Sequence, residues 1–343
     1  MLERSLFDHY RLYAENVMHA FELTVIEAGG ETYLLMPVPS DQDEVQRQSE
    51  MAQWLHSQGE EGVPELVRTD HGRTFIDMDG TSMALYRLPA VLHTRESVNL
   101  SAGKKLAVFH QRGLYYPSGG NRKNVSGAQQ WKGKWEKRLD QMESWYTHIR
   151  NERFKSPFDE SFLLTYPYFM GMSENAIQLM NDIGIDDGTA ALEQGNTICH
   201  RRFLENTWLT VDQKYPSAIK VPGQFMYDHF SRDLTERFRE DVRNAFAMQR
   251  HSDFYTLLAD YEQERPLTAV DRKLMVARLL FPLHYFDTVE NYYQTVDEQK
   301  KQTFAEEFIT IQNGSDFYEK RVAELQHYLL DERTRMRLPV WIG

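Results

Sequence analysis

The chain has 343 residues, with 51 aspartates and glutamates against 39 lysines and arginines and a formal net charge of -12. A protein that grips nucleic acid or an anionic membrane surface needs a clustered basic face, so this balance excludes both as expected partners. A hydrophobic fraction of 41% and an aromatic fraction of 13% suffice for a packed interior, and no run of about 18 apolar residues offers a membrane span.

The start, Met1-Leu2-Glu3-Arg4-Ser5, lacks the apolar core of a secretion signal, so synthesis and retention inside a cell are expected. From residue 21 short apolar segments alternate with turn signals. Residues 21–28, Gly29-Gly30 and residues 32–38 read as strand, turn and strand. Ser40 and Asp41 open a helix predicted over 41–57, where Val45, Met51, Trp54 and Leu55 share a side, and Gly59 closes it. Strands predicted over 66–69, 74–78 and 83–88, with Gly72 and Gly80 at their turns, complete a five-stranded sheet with one helix.

After Pro89 the texture changes to long amphipathic segments. Leu106, Val108 and Phe109 repeat at helical spacing over 101–110. A loop over 115–130, rich in Gly, Ser and Asn, is the stretch expected to be disordered, and it leads into a helix around 131–153. A helix over 158–181 and strands over 196–200 and 209–211 follow. Helices are predicted over 233–250, 252–264, 268–286, 297–313 and 316–333. The expected fold class is α+β, with an N-terminal β-rich lobe at 1–88 and a larger, mainly helical lobe at 89–343.

Cys199, the single cysteine, follows the apolar Thr197-Ile198 and reads as a buried filler rather than a catalytic thiol. The 12 histidines form no His-Glu-x-x-His or paired Cys/His spacing. Neither a Gly-x-Ser-x-Gly elbow nor a Walker lysine loop is present, which sets aside serine hydrolases and P-loop enzymes. The aromatic clusters, among them Tyr115-Tyr116 and Tyr292-Tyr293, serve core packing or protein contacts. The end, Arg337 to Ile342, is a docking tail or a tail folded back on the helical lobe.

Leu106-Ala107-Val108-Phe109-His110, the tryptophan-and-lysine segment 131–139, Cys199-His200 and Arg232-Asp233-Leu234 occur in an order that resembles the protein-kinase-like phosphotransferases. The resemblance is to the aminoglycoside and choline kinase type, and most closely to the endospore coat-associated branch of spore-forming bacteria. It runs nearly end to end and implies a bilobal kinase-like fold.

At the positions that carry the family's chemistry the chain departs from it. Met36, followed by Pro37, stands where the resemblance puts the phosphate-binding strand lysine, and it offers neither charge nor donor. Glu50, at the helix-glutamate position, is left without that partner. Residues 15–21, where a glycine-rich phosphate loop is implied, contain no glycine. Against the pattern His-Gly-Asp-x-x-x-x-Asn, the chain keeps His200 but has Arg202 for the aspartate base and Thr207 for the metal-binding asparagine. A guanidinium accepts no proton at any relevant pH. Val221, in Val221-Pro222-Gly223, replaces the second metal-binding aspartate. His200 and Asp233 remain as structural remnants, the first bracing the loop and the second tethering it from a buried helix.

The resemblance therefore implies a catalytically inactive protein, without cofactor, metal or catalytic residue. Its role is structural or in assembly of the bacterial spore coat, with other coat proteins as partners, after synthesis in the cytoplasm. Two alternatives stay open. One is an active small-molecule phosphotransferase with displaced ligands at Asn206, Asp212 or Asp228. The other is a cleft that binds a non-nucleotide anion through Arg201 and Arg202.

Overall fold

The computed structural model describes residues 2–20, 23–89, 100–117, 127–209, 218–248 and 253–330. Its first turn is set by Gly29 and Gly30, whose φ angles of 59° and 77° suit a two-residue hairpin turn that follows the twist of the flanking strands. The turn follows helix α1 (Leu2–Tyr10) and strand β1 (Asn16–Ala20), and it joins β2 (Leu23–Ala28) to β3 (Glu31–Pro37) with Ala28 opposite Glu31. Helix α2 (Gln42–Ser57) comes next, then β4 (Glu65–Val67), β5 (Ile76–Met78) and β6 (Thr81–Arg87). The strands form a six-stranded antiparallel sheet in the order β1-β2-β3-β6-β4, with β5 pairing β6.

Side-chain alternation along β3 divides the sheet between two apolar clusters. Tyr33 and Leu35 pack with Leu6 and Tyr10 of α1, Ile26, Ile76 and Leu85. Leu34 and Met36 pack on the other side with Val25, Ala84, Tyr86 and Leu88. All four consecutive positions from Tyr33 to Met36 are buried, as expected of a strand covered on both faces. Burial pushes the Tyr33 hydroxyl up to about 12.

The sheet has one strand more than expected, because β1 occupies most of the stretch read as a loop, and α1 was not expected at all. β1 is an edge strand of sequence Asn-Val-Met-His-Ala, largely exposed, so its order comes from pairing with β2 and leaves little hydrophobic pattern.

Helix α3 (Ala102–Gly113) follows its Ser101 cap, and α4 (Ala128–Asn151) and α5 (Pro157–Asp186) lead to β7 (Asn196–His200). After β8 (Trp208–Leu209) and β9 (Ile219–Lys220), a single 3-10 turn precedes β10 (Phe225–His229). The remaining helices are α6 (Ser231–Met248), α7 (Phe254–Glu264), α8 (Ala269–Leu280), α9 (Leu283–Gln294), α10 (Glu298–Asn313) and α11 (Ser315–Leu329). Of the loop expected to be disordered, residues 128–130 belong to α4, and 118–126 lie outside the described residues, as do Asp212 and the tail.

The helix expected over 268–286 is two helices. Pro282 caps α9 and donates no backbone hydrogen bond, and its ring clashes with a helical conformation of the residue before it, which holds Phe281 at an extended ψ of 115°. Phe281 nevertheless stays buried, stacked on Trp135 at 4.8 Å. The apolar rhythm thus continues through the break.

The chain divides into two compact units. The first comprises Met1–Lys123, Thr197–Tyr227 and Leu257–Arg265, and the second Asn124–Asn196, Asp228–Thr256 and Pro266–Gly343. No helix among the described residues is long and apolar enough to cross a membrane.

Candidate functional site

Within the first unit, β3 and the turn after β9 bring two of the singled-out positions together. Met36 is 7% exposed and Val221 4%, and both belong to one cluster with Val25, Leu34, Ala84, Tyr86, Leu88 and Ile219. Met36 Cε lies 3.3 Å from where a side chain on Gly223 would begin. Each of the two side chains contributes roughly 1.5–3 kcal/mol by leaving water. An apolar contact therefore stands at the two positions where the resemblance leads one to expect a phosphate-binding cation and a metal-binding carboxylate.

Helix α2 reaches this place with a different residue from the one expected. Asp41 caps it, accepting from the Asp43 and Glu44 amides at 2.9 and 3.3 Å, and its face toward the first unit's interior runs through Glu44, Gln48, Met51 and Leu55 at helical spacing. Gln48, 1% exposed, donates from Nε2 to the Gly223 carbonyl at 3.1 Å, while its Oε1 is buried without a partner. Glu44 forms an ion pair with Arg201. Glu50 is off that face, exposed, and accepts from Gln46 Nε2 at 2.8 Å. The α2 side chain that meets the Val221-Pro222-Gly223 turn is thus Gln48. Its signal was present in the sequence: a polar residue three positions after Val45 and three before Met51, inside an apolar stripe.

The segment after β7 is closed on itself. Thr207 Oγ1 donates to the Arg202 carbonyl at 3.0 Å and accepts from the Leu204 amide at 2.7 Å, and the Thr207 amide donates to the Leu204 carbonyl at 3.1 Å. The Thr207 side chain thus braces a turn. His200 is 1% exposed and stacks on Phe109 at 4.7 Å, with Phe203 and Phe225 against it. Trp208 Nε1 donates to His200 Nε2 at 3.0 Å. An indole only donates, so Nε2 is the acceptor of this bond. Arg202 is half-buried and Asn206 exposed. Cys199 is fully buried in β7.

In the second unit, Asp228 is fully buried. Its Oδ1 accepts from Trp131 Nε1 at 2.9 Å and from the His229 amide at 2.8 Å, and its Oδ2 from Arg232 at 3.2 Å. These bonds fix Asp228 among protein donors. Asp233 is also fully buried, in the first turn of α6, with its amide donating to the Phe230 carbonyl at 3.1 Å.

A buried ion cluster beside β9 went unnoticed in the sequence. Lys220 Nζ meets Glu60 Oε1 at 2.7 Å and the Glu61 carbonyl at 2.8 Å, and it lies 5.0 Å over the Trp208 ring. Arg112 Nη1 reaches Glu60 Oε2 at 2.8 Å, and the Arg112 carbonyl accepts from Trp54 Nε1 at 3.0 Å. The one available signal was a lysine between Ile219 and Val221. A Glu60→Ala variant is expected to lose about 2 kcal/mol in urea unfolding, because it strands the buried Lys220 ammonium while the half-exposed Arg112 relaxes into water. Unchanged stability would show that the cluster does not hold these segments.

Residues 3–325 match the family described as "Spore coat putative kinase YutH". The endospore coat-associated protein YutH of Bacillus subtilis (strain 168) is 30% identical over 351 residues, covering 100% of this chain and 98% of that protein. Among solved structures, an aminoglycoside phosphotransferase from Alicyclobacillus acidocaldarius superposes with a TM-score of 0.64 at 11% identity, covering 92% of each chain. A spectinomycin phosphotransferase, solved with ADP and spectinomycin, superposes with a TM-score of 0.64 at 13% identity, covering 96% of this chain and 98% of its own. At such identities the likeness shows the fold alone: kinase-like, with an N-terminal antiparallel sheet and a mostly helical remainder. The match over residues 3–325 and the likeness along the whole chain show that this protein belongs to the YutH family of spore coat kinase-like proteins.

Proposed function

We propose that the chain is a spore coat-associated protein that keeps the kinase-like fold without phosphoryl transfer and serves the coat as a structural or assembly component, with other coat proteins as partners. The observation that carries this reading is the apolar packing of Met36 with Val221 at the positions of the phosphate-binding lysine and the metal-binding carboxylate. Arg202 at the base position and the consumed hydroxyl of Thr207 support it. Of the displaced ligands a working enzyme would need, Asp228 is held by three protein donors. Arg201, which an anion in the cleft would need, is paired with Glu44.

Coat association rests on the family and on the Bacillus subtilis relative, described as endospore coat-associated. The test of inactivity is isothermal titration of the full chain with magnesium-ATP. The expected result is no saturable heat at micromolar concentrations. Micromolar, metal-dependent binding would overturn the reading and return phosphotransfer to first place.

A further inference from the structure

The two ends of helix α5, in the second unit, differ in the sign of their charge. Between Lys155 and Arg201 the chain has no lysine or arginine and seven aspartates and glutamates. Asp182 and Asp186 are therefore exposed near the C-terminus of α5, where aligned peptide dipoles leave a partial negative charge that disfavours them. Asp182 accepts from the neutral amide of Gln178 at 2.7 Å, and Lys273, which reaches this end, pairs with Asp187 at 2.7 Å. The segment entering α5 is the opposite. Arg150, Arg153 and Lys155 face the single carboxylate of Glu152, which lies 3.4 Å from His148, so this end is net positive.

One solvent-facing stripe joins the ends. Leu164, Pro167, Gly171, Glu174, Gln178 and Asp182 follow at steps of three and four residues, the spacing of a helix that packs along another helix, and all but Gly171 are exposed. Apart from its chain neighbours and the backbone of α5, nothing lies within 4 Å of where a side chain on Gly171 would begin. Large apolar side chains stand in solvent along the same line: Leu164 is 83% exposed, Ile185, one step past Asp182, 79%, and Phe154 beside Arg153 84%. Single exposed apolar residues are ordinary, but an aligned set rimmed by charge marks a contact surface.

We propose that this face of α5 is the contact of a homodimer, in which α5 of a second copy lies antiparallel across it about a two-fold axis near Pro167 and Gly171. Residues 153–154 and 185–186 are equally far from that axis, so Arg153 and Phe154 of each copy meet Ile185 and Asp186 of the other. The same pairing of opposite charges then forms twice, as two-fold symmetry requires. A parallel pairing would set like ends together and repel. At the axis, Pro167 and Gly171 present little side chain, which lets the helices approach closely. A strip ~45 Å long and ~10 Å wide on each copy buries on the order of 1,000 Å² in total, the least that a specific interface needs. The contact goes beyond the assembly role proposed above and uses neither Met36 nor Val221. A monomeric chain would refute it and leave the magnesium-ATP titration as the test of inactivity.

The experiment is sedimentation velocity of the full chain over a range of concentrations in low salt. The expected result is a reversible equilibrium of monomer and dimer that weakens as salt rises. Arg150→Glu with Arg153→Glu makes both ends acidic, and Asp182→Lys with Asp186→Lys makes both basic, all at exposed positions. Each variant is expected to dimerise at least about ten-fold more weakly, and an equimolar mixture of the two to recover a dimer with one copy of each. Leu164→Ser leaves every charge in place and is expected to weaken the dimer while keeping its salt dependence. The proposal is overturned by a wild-type chain that stays monomeric at every concentration, or by assembly that continues past the dimer. Charge variants that associate like wild type, or a mixture of the two folded variants that stays monomeric, overturn it as well.

Discussion

A Met36→Lys variant is expected to lose on the order of 3 kcal/mol or more in urea denaturation and to gain no affinity for magnesium-ATP. In an active kinase the same residue is indispensable, so the sign of the effect separates the two states of the fold. Here the new ammonium enters a face made by Val25, Leu34, Ala84, Tyr86, Leu88, Ile219 and Val221. Such surroundings favour the neutral amine and penalise the charge. Gln48 Oε1, which is buried and unpartnered, offers one neutral acceptor and offsets only part of that cost. Gln48→Glu added to Met36→Lys is therefore expected to recover roughly 1–2 kcal/mol, whereas altering the exposed Glu50 recovers nothing. If Met36→Lys alone is neutral and magnesium-ATP binding appears with it, the nucleotide cleft is intact and the inactive reading fails.

The contrast between positions 48 and 50 shows which parts of the molecule were legible in the sequence. Elements that carry their own signals were readable: Asp41 as a helix cap, Gly29-Gly30 as a hairpin turn, and residues 196–200 as a buried strand all stand where they were expected. The chemical character of Met36, Arg202, Thr207 and Val221 was readable too, since residue type alone decides whether a side chain donates, accepts or carries charge. Direction was not. The resemblance points to Glu50, yet one helical phase sets its carboxylate in solvent and brings Gln48 inward. Nor were long-range pairings readable. Lys220 and Glu60 are 160 positions apart in sequence, and nothing local to either shows that they meet at 2.7 Å. β1 and the Pro282 break were missed for the converse reason: tertiary pairing orders a strand with little pattern, and burial of Phe281 carries an apolar pattern across two helices.

Glu236→Ala is expected to cost about 3–5 kcal/mol, the value for breaking a buried ion pair by removing one partner. Glu236 is 1% exposed, and the two guanidiniums it joins, Arg239 and Arg278, are 7% and 4% exposed. Neither can turn to water when the carboxylate is deleted, in contrast to Arg112 beside Glu60. Arg239 keeps two carbonyl partners through Nη2, so the loss falls mainly on Arg278, although the Nε of each guanidinium is buried without a partner. The double variant Glu236→Ala with Arg278→Met is therefore expected to be more stable than Glu236→Ala alone, because removing both charges abolishes the desolvation cost that a single deletion exposes. Urea unfolding of the four proteins in the cycle measures the coupling. A double variant less stable than either single one would mean that Arg278 contributes mainly through its packing on Trp131.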